Sequence, residues 1–173
     1  MLKVTEKVEG ESFLGEAYPP GVYEGGLLTI PTKEDSSDLI ESLEWDVYHK
    51  YIVVAYNCMG DLFVKNKNSN AIGYLWLQYG YGRFIANTIE EWSELISTDG
   101  EEKDKFLETF SQNHLLGKKG SLPYGSVYTL SPILALGGNS TIESLNNCGI
   151  GHLNVYLSIV SQSFIPEQWG EFA

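Results

Sequence analysis

Basic residues are scarce in this sequence. Among 173 residues there are 11 lysines and arginines against 23 aspartates and glutamates, which gives a net charge of −12, and Arg83 is the single arginine. A protein that binds nucleic acid directly uses clustered basic side chains to displace counterions from the phosphates. The composition therefore disfavours direct nucleic-acid binding. An acidic surface suits either solubility or attraction to a basic protein, and charge alone does not separate these two interpretations.

Cysteines and long apolar runs are also few. The two cysteines, Cys58 and Cys148, lie 90 residues apart, and we expect both to be reduced and to act as small apolar side chains rather than to form a disulfide. No stretch approaches the roughly 18 apolar residues of a transmembrane helix, and residues 1–6 lack the apolar region of a signal peptide. The sequence therefore predicts a cytoplasmic protein that does not contact a membrane.

Sequence motifs that carry chemistry are absent. The three histidines, His49, His114 and His152, lie in different predicted elements and lack the spacing of metal ligands. The glycine-rich sites match neither the phosphate-binding P-loop nor the dinucleotide fingerprint, and they are typical of turns. No nucleophile, base and orienting group can be assembled. The sequence predicts no metal, no cofactor and no enzymatic activity.

Short β-branched and aromatic stretches, separated by turn residues, predict an antiparallel sheet. Residues 21–30 are typical of a glycine-broken strand or short hairpin, and further strands are predicted at 51–56, 61–64, 71–79 and 83–86. We predict an α+β fold: an antiparallel sheet of about five strands with helices packed on one face and at the end. At this length we expect a single domain, in which residues 1–50 could form a small N-terminal lobe.

Capping residues mark the starts of the predicted helices. Thr32 is followed three residues later by Asp35, and Thr88 by Glu91, so both threonines can accept a hydrogen bond from a backbone N–H of the first turn. A further helix is predicted over residues 101–112. The apolar side chains of these three helices are predicted to point inward: Leu39, Ile40 and Leu43, then Ile89, Trp92 and Ile96, then Phe106, Leu107 and Phe110.

An apolar stretch in the segment 122–145 ends on two glycines. Residues 133–136 are apolar, Gly137 and Gly138 follow, and Ser140 with Glu143 has the spacing of another capping box. Glycine tolerates the positive φ and the close backbone approach of a tight corner. The pattern predicts a buried structural connection in which Gly138 holds a positive φ.

Acidic residues are concentrated between positions 90 and 108. Eight carboxylates and two lysines in this stretch supply half of the net charge of the chain. Such a cluster is usually the solvated face of helices, and the alternative is a surface that binds a basic partner. If the second interpretation holds, the candidate partner-binding residues are Glu94, Asp99, Glu101, Glu102, Asp104 and Glu108.

Two aromatic residues, Tyr74 and Trp76, are predicted to lie on the same face of one strand. Three interpretations are open. The rings could stack on bases or sugars, they could lie inside a sheet that is covered on both faces, or they could dock a protein partner, since Tyr and Trp are frequent in binding hot spots. We include both residues among the candidate partner-binding residues.

Several short motifs resemble a known family. The segments CMGDLFVKN (58–66), GYLWLQYGYGRF (73–84), TIEEWSELI (88–96) and GHLNVYLSIVSQ (151–162), together with ALGG and ESLNN, are similar in order to the C-terminal domain of bacterial type VI secretion DNase immunity proteins. The resemblance extends over residues 15–163. Many members carry a longer, GAD-like N-terminal segment, whereas this chain is compact.

The resemblance also bears on the last element. Every second residue of 153–159 is apolar, as in a strand, while Leu153, Leu157, Val160 and Phe164 share a helical face. Length and the resemblance favour a helix.

A function in interbacterial competition is what the resemblance implies. The chain would be a non-enzymatic immunity protein that binds a cognate secreted toxin, expected to be a basic nuclease effector, and neutralises it by stoichiometric occlusion. The alternative is a non-enzymatic cytoplasmic binding or scaffold module that uses the aromatic strand face formed by Tyr74 and Trp76.

Overall fold

A seven-stranded antiparallel sheet forms the centre of the structure, a computed structural model that describes residues 2–44 and 50–163. The strands follow one another across the sheet in chain order, so each pairs with its neighbours in sequence. Short connections of this kind produce an antiparallel meander. The strands are β1 (Val4–Lys7), β2 (Gly21–Tyr23), β3 (Leu28–Ile30), β4 (Tyr51–Asn57), β5 (Leu62–Asn66), β6 (Ile72–Trp76) and β7 (Tyr81–Ala86).

A separate two-stranded ribbon and six helices complete the described part of the chain. The ribbon pairs β8 (Ser126–Thr129) with β9 (Gly149–His152). The helices are α1 (Lys33–Ser42), α2 (Ile89–Ser97), α3 (Glu101–Leu107), α4 (Thr109–Lys119), α5 (Ile142–Asn146) and α6 (Leu153–Ser161). None of these six helices is long and apolar enough to cross a membrane.

The α+β class and the antiparallel sheet are confirmed, whereas the predicted number of about five strands is too small. Segment 21–30 folds into two strands, β2 and β3, around a turn at residues 24–26. The additional strand β1 is a polar edge strand that is mostly exposed, so its sequence lacks the apolar alternation of a buried strand. Residues 2–44 belong to the same sheet, because β3 pairs with β4.

Helices cover both faces of the sheet, which corrects the prediction that they pack on one face. On one face α1 and α6 pack against residues such as Leu62 and Leu75. On the other face α2 and α3 pack against Phe63 and Tyr74. The physical reason lies in β4, where all seven residues are buried. A strand that is apolar at successive positions must be shielded from water on both sides.

The predicted caps of α1 and α2 are confirmed. The Thr32 hydroxyl accepts a hydrogen bond of 3.0 Å from the N–H of Asp35, and the Thr88 hydroxyl accepts one of 3.2 Å from the N–H of Glu91. The cap predicted at Ser140 is wrong by one residue. Helix α5 is capped by Thr141, whose hydroxyl accepts from the N–H of Ser144 at 3.3 Å.

The single helix predicted over residues 101–112 is two helices. Glu108 adopts a left-handed conformation with φ 54°, which ends α3 and starts α4 in a new direction. Phe106 and Leu107 are fully buried, as predicted, but Phe110 lies beyond the break and is 64% exposed. The prediction that Phe110 points inward assumed a continuous helix and is therefore wrong.

The final apolar run is helical, as predicted, over Leu153–Ser161. Leu153, Leu157 and Val160 are buried and form its inner face. The preceding residues 149–152 form β9, which the sequence did not predict. Phe164 and His49 lie outside the described residues.

The prediction of a buried connection at residues 133–138 is wrong, because Ile133 and Leu134 are only partly buried and Gly137 is exposed. Leu136 is exposed, and the positive φ of 88° belongs to Gly137, not to Gly138. Gly138 is required for a different reason. A Cβ atom at this position would lie 2.0 Å from the carbonyl oxygen of Pro132 and 2.9 Å from that of Ile133.

We expect Gly138→Ala to lower the free energy of unfolding by about 1–3 kcal/mol, because the backbone must move to admit the methyl group. Gly117→Ala is the matched control. Gly117 lies within α4, nothing is within 4 Å of an added Cβ, and alanine favours a helix by about 0.5–1 kcal/mol over glycine. Chemical denaturation of both variants measures the difference. Equal stability of Gly138→Ala and the wild type would contradict the prediction.

Candidate functional site

Beyond Glu90 and Glu91 in the first turn of α2, five exposed carboxylates lie on the rest of α2, on α3 and in the short connection between them. We call this surface, formed by Glu94, Asp99, Glu101, Glu102 and Asp104, the acidic face. The acidic face points to solvent because the opposite sides of α2 and α3 are buried. Trp92 and Ile96 of α2, and Phe106 and Leu107 of α3, are fully buried, so the charged residues between them point to solvent.

Three of these carboxylates have local partners. Asp99 accepts from the Lys103 ammonium at 2.7 Å, and this contact lowers the pKa of Asp99. Glu102 lies 3.5 Å from the Arg83 guanidinium, and Asp104 accepts from the hydroxyl of Thr109 at 2.6 Å. Exposed ion pairs contribute at most about 1 kcal/mol. Glu94 and Glu101 have no side-chain partner within residues 2–44 and 50–163, so the face keeps a net negative charge.

Glu108 does not belong to the acidic face. It sits at the break between α3 and α4, and its side chain turns inward to accept a hydrogen bond of 3.1 Å from the hydroxyl of Ser111. Burial raises the pKa of Glu108. The sequence grouped it with the surface carboxylates because a continuous helix would have placed it beside Asp104.

Tyr74 and Trp76 are buried beneath α3 and do not form a binding surface. The ring of Phe106 lies 5.0 Å from that of Tyr74 and 5.5 Å from that of Trp76, measured between centroids. The Lys105 ammonium is 5.2 Å from the Trp76 ring. The interpretation with both sheet faces covered is therefore correct. Stacking on bases and docking of a protein on this strand face are excluded, because the rings are not accessible.

A buried carboxyl group lies beside Tyr74. Asp61 is fully buried, and its Oδ2 atom accepts hydrogen bonds from the hydroxyl of Tyr74 at 3.2 Å and from the side-chain amides of Gln78 and Asn57 at 3.4 and 3.5 Å. Its Oδ1 atom has no partner within the described chain. We call Asp61, Asn57, Tyr74 and Gln78 the Asp61 network.

The Asp61 network connects the sheet to the end of α3. The Asn57 amide donates to the carbonyl oxygen of Phe106 at 3.1 Å. The adjacent Cys58 sulfur lies 4.0 Å from the carbonyl oxygens of Leu107 and Glu108. The sequence did not predict this network. Its central residue, Asp61, directly precedes the apolar strand β5. Such a residue is usually a turn residue, and Asp61 is buried because parts of the chain that are distant in sequence pack around it.

The cysteines and the described histidines form no common site. Cys58 and Cys148 are both free and lie in the same buried apolar cluster. His114 contacts the side-chain oxygen of Asn146 at 2.9 Å, and His152 is exposed at the end of β9. Among residues 2–44 and 50–163, no three or more His, Cys, Asp or Glu side chains are grouped to hold a metal ion.

A groove of about 860 Å³ runs between the acidic face and the turn that joins β2 and β3. Asp99 and Asp104 lie on its helical side, and Glu24 lies on the side of the turn. Lys103 is the one cation among the lining residues that the structure describes. The other lining residues are Leu2, Leu27, Ser97, Thr109, Phe110, Gln112, Asn113 and Leu116.

The pH dependence of stability reports the state of Asp61. Burial raises the pKa of Asp61 to about 7, above its ordinary value of 3.8. Below pH 3.8 the carboxyl group is protonated in the folded and unfolded chains alike. As the pH rises, the unfolded chain ionises first, so the wild type loses stability until the pH passes the folded-state pKa.

We expect Asp61→Asn, which keeps the size of the side chain and cannot ionise, to gain stability relative to the wild type between about pH 4 and pH 7. The gain is up to about 4 kcal/mol, because one pKa unit corresponds to about 1.4 kcal/mol, and it stays constant at higher pH. Urea denaturation across this range measures it, and a difference independent of pH would contradict the assignment.

Comparison with known proteins supports the fold. No model of a known protein family matches the sequence, and no curated protein matches it. Among solved structures, the crystal structure of Atu4351 from Agrobacterium tumefaciens is similar over 84% of this chain and 71% of that chain, with a TM-score of 0.59 and 16% sequence identity. A likeness at this identity shows a shared fold alone. The resemblance to type VI secretion immunity proteins therefore stays a prediction.

Proposed function

We propose that this chain is an immunity protein that binds a basic nuclease effector and neutralises it by stoichiometric occlusion. The acidic face is the observation that carries the proposal. Glu94, Asp99, Glu101, Glu102 and Asp104 are exposed on neighbouring turns of α2 and α3. A nuclease holds its phosphate substrate with clustered lysines and arginines. The acidic face presents carboxylates to the same cations and is complementary to such a surface.

Occlusion requires fast capture followed by slow release. The net charge of −12, half of which is carried by residues 90–108, accelerates encounter with a basic protein by long-range steering. Exposed charges contribute little to the affinity itself, since solvent screens them. Residence on the toxin must then come from apolar anchors beside the acidic face. Tyr74 and Trp76 cannot serve as these anchors because they are buried.

Under this proposal the chain has no enzymatic activity of its own. We expect the purified protein to leave linear and plasmid DNA intact in the presence of Mg²⁺ or Mn²⁺, and to block cleavage when it is mixed in equal amount with the effector. Gel electrophoresis of the DNA measures both results. Metal-dependent cleavage that is abolished by substitution of a carboxylate of this chain would overturn the assignment.

Charge reversal tests the acidic face directly. We expect the double variant Glu94→Lys, Glu101→Lys to slow association with the nuclease effector encoded beside its gene by about tenfold or more at low salt, and to weaken the salt dependence of the rate. Stopped-flow association at low and high salt measures this. Both residues are exposed, so the fold is expected to remain intact.

The matched control is Glu34→Lys, Glu41→Lys on α1. These two residues are also exposed. Glu34 lies in the first turn of its helix, as Glu101 does, and Glu41 lies in the last turn, as Glu94 does. Helix α1, however, packs on the opposite face of the sheet. The net charge changes by the same amount in both double variants. If the two variants associate at the same rate, the acidic face is not the interface. If neither the wild type nor the control binds the effector, the proposed function fails.

A further inference from the structure

We propose that the groove beside the acidic face is the docking site for an arginine-bearing loop of the toxin. This inference rests on the proposed function and adds the place where the partner is held. The groove, of about 860 Å³, falls in the size range of sites that enclose a bound group. A guanidinium group presents five N–H donors in a planar fork, which suits a space with carboxylates on more than one side.

The carboxylates of the groove keep acceptor capacity for such a donor. One oxygen of Glu24 accepts from the N–H of Lys3 at 2.6 Å, one of Asp99 accepts from Lys103, and one of Asp104 accepts from Thr109. In each carboxylate the second oxygen has no hydrogen-bond donor within residues 2–44 and 50–163. Among the described residues of the lining, three acids stand against the one cation Lys103, which gives this part of the lining a net negative charge.

Phe110 supplies the apolar contact that slows release. It lines the groove with 64% of its surface exposed, a high fraction for a phenylalanine on a helix. The left-handed residue Glu108 is what turns this ring outward. Arginine stacks on aromatic faces through cation–π attraction, and its aliphatic stem can cover Leu27 and Leu116. The exposed ring and the free carboxylate oxygens therefore favour the same side chain.

The two sides of the groove are held together before a partner arrives. The side-chain amide of Gln112, on α4, donates to the carbonyl oxygen of Glu24 at 2.9 Å and is buried. Glu24 itself adopts φ 48°, a conformation that is strained for a residue with a side chain. The turn between β2 and β3 is thus fixed against α4, and a fixed site loses less entropy on binding.

The test uses the full chain, the nuclease effector encoded beside its gene, and a tetra-arginine peptide as a probe of the groove. We expect the double variant Phe110→Ala, Glu24→Gln to bind the effector at least tenfold more weakly, mainly through faster dissociation. Gln at position 24 can still accept from the N–H of Lys3. Phe110→Tyr keeps the ring face and is expected to retain wild-type affinity. Val155→Ala, Glu143→Gln is the matched control, with one exposed apolar and one exposed acidic residue away from the groove.

The peptide arm locates binding independently of the toxin. We expect tetra-arginine to shift the amide resonances of groove residues in the wild type, and not in the Phe110→Ala, Glu24→Gln variant. If the effector binds that variant within twofold of the wild type, the groove inference is overturned and the proposed function stands. Shifts spread over all acidic surfaces, α1 included, would also overturn it. If the effector does not bind the wild type at all, the groove inference and the proposed function are both overturned.

Discussion

The side-chain amide of Asn57 holds three parts of the chain in one place. Its nitrogen donates to the Tyr74 hydroxyl on β6 and to the carbonyl oxygen of Phe106 at the end of α3, and its oxygen accepts from the backbone N–H groups of Met59 and Asp61. All of these groups are buried, and a buried polar group left without a partner costs about 1–3 kcal/mol. Separating the turn after β4, the aromatic face of the sheet or the end of α3 from Asn57 would therefore leave a buried polar group without its partner.

The acidic face depends on this arrangement. Concentrated negative charge opposes a compact fold through self-repulsion, so α2 and α3 must be held by something other than their charged residues. Their inner sides supply it: Trp92 and Phe106 are fully buried against the sheet, and Phe106 is in addition tied by its backbone to Asn57. The helices can then carry exposed carboxylates outward, where salt and water screen the repulsion.

Local signals in the sequence predict local structure well. They fail where the backbone conformation or the burial of a residue depends on contacts with segments that are distant in sequence. Thr32 and Thr88 cap helices as predicted, because a cap is formed within four residues. The break at Glu108 was not predicted, since its left-handed backbone belongs to a corner that docks on Asn57 and Cys58, 50 residues away. That one break explains two errors: Phe110, predicted to point inward, is exposed, and Glu108, a candidate partner-binding residue, is half-buried. The aromatic pair was misplaced for a related reason, because Tyr74 and Trp76 are covered by Phe106 of the distant helix α3.

Carboxylates serve three different purposes in this chain, and their surroundings distinguish them. Asp61 is sealed in the core, so its charge affects stability and its own pKa but cannot act on a partner. Glu94 and Glu101 stand in solvent with no side-chain partner in the described part of the chain. Charges in such a position act on other molecules over about one Debye length. Glu24 and Asp104 lie between these extremes: each is held by one hydrogen bond and keeps one oxygen to accept another. Only that intermediate environment combines a fixed position with unused acceptor capacity. Under the proposed function, steering of the toxin is therefore assigned to the acidic face, and its retention is assigned to the groove beside that face.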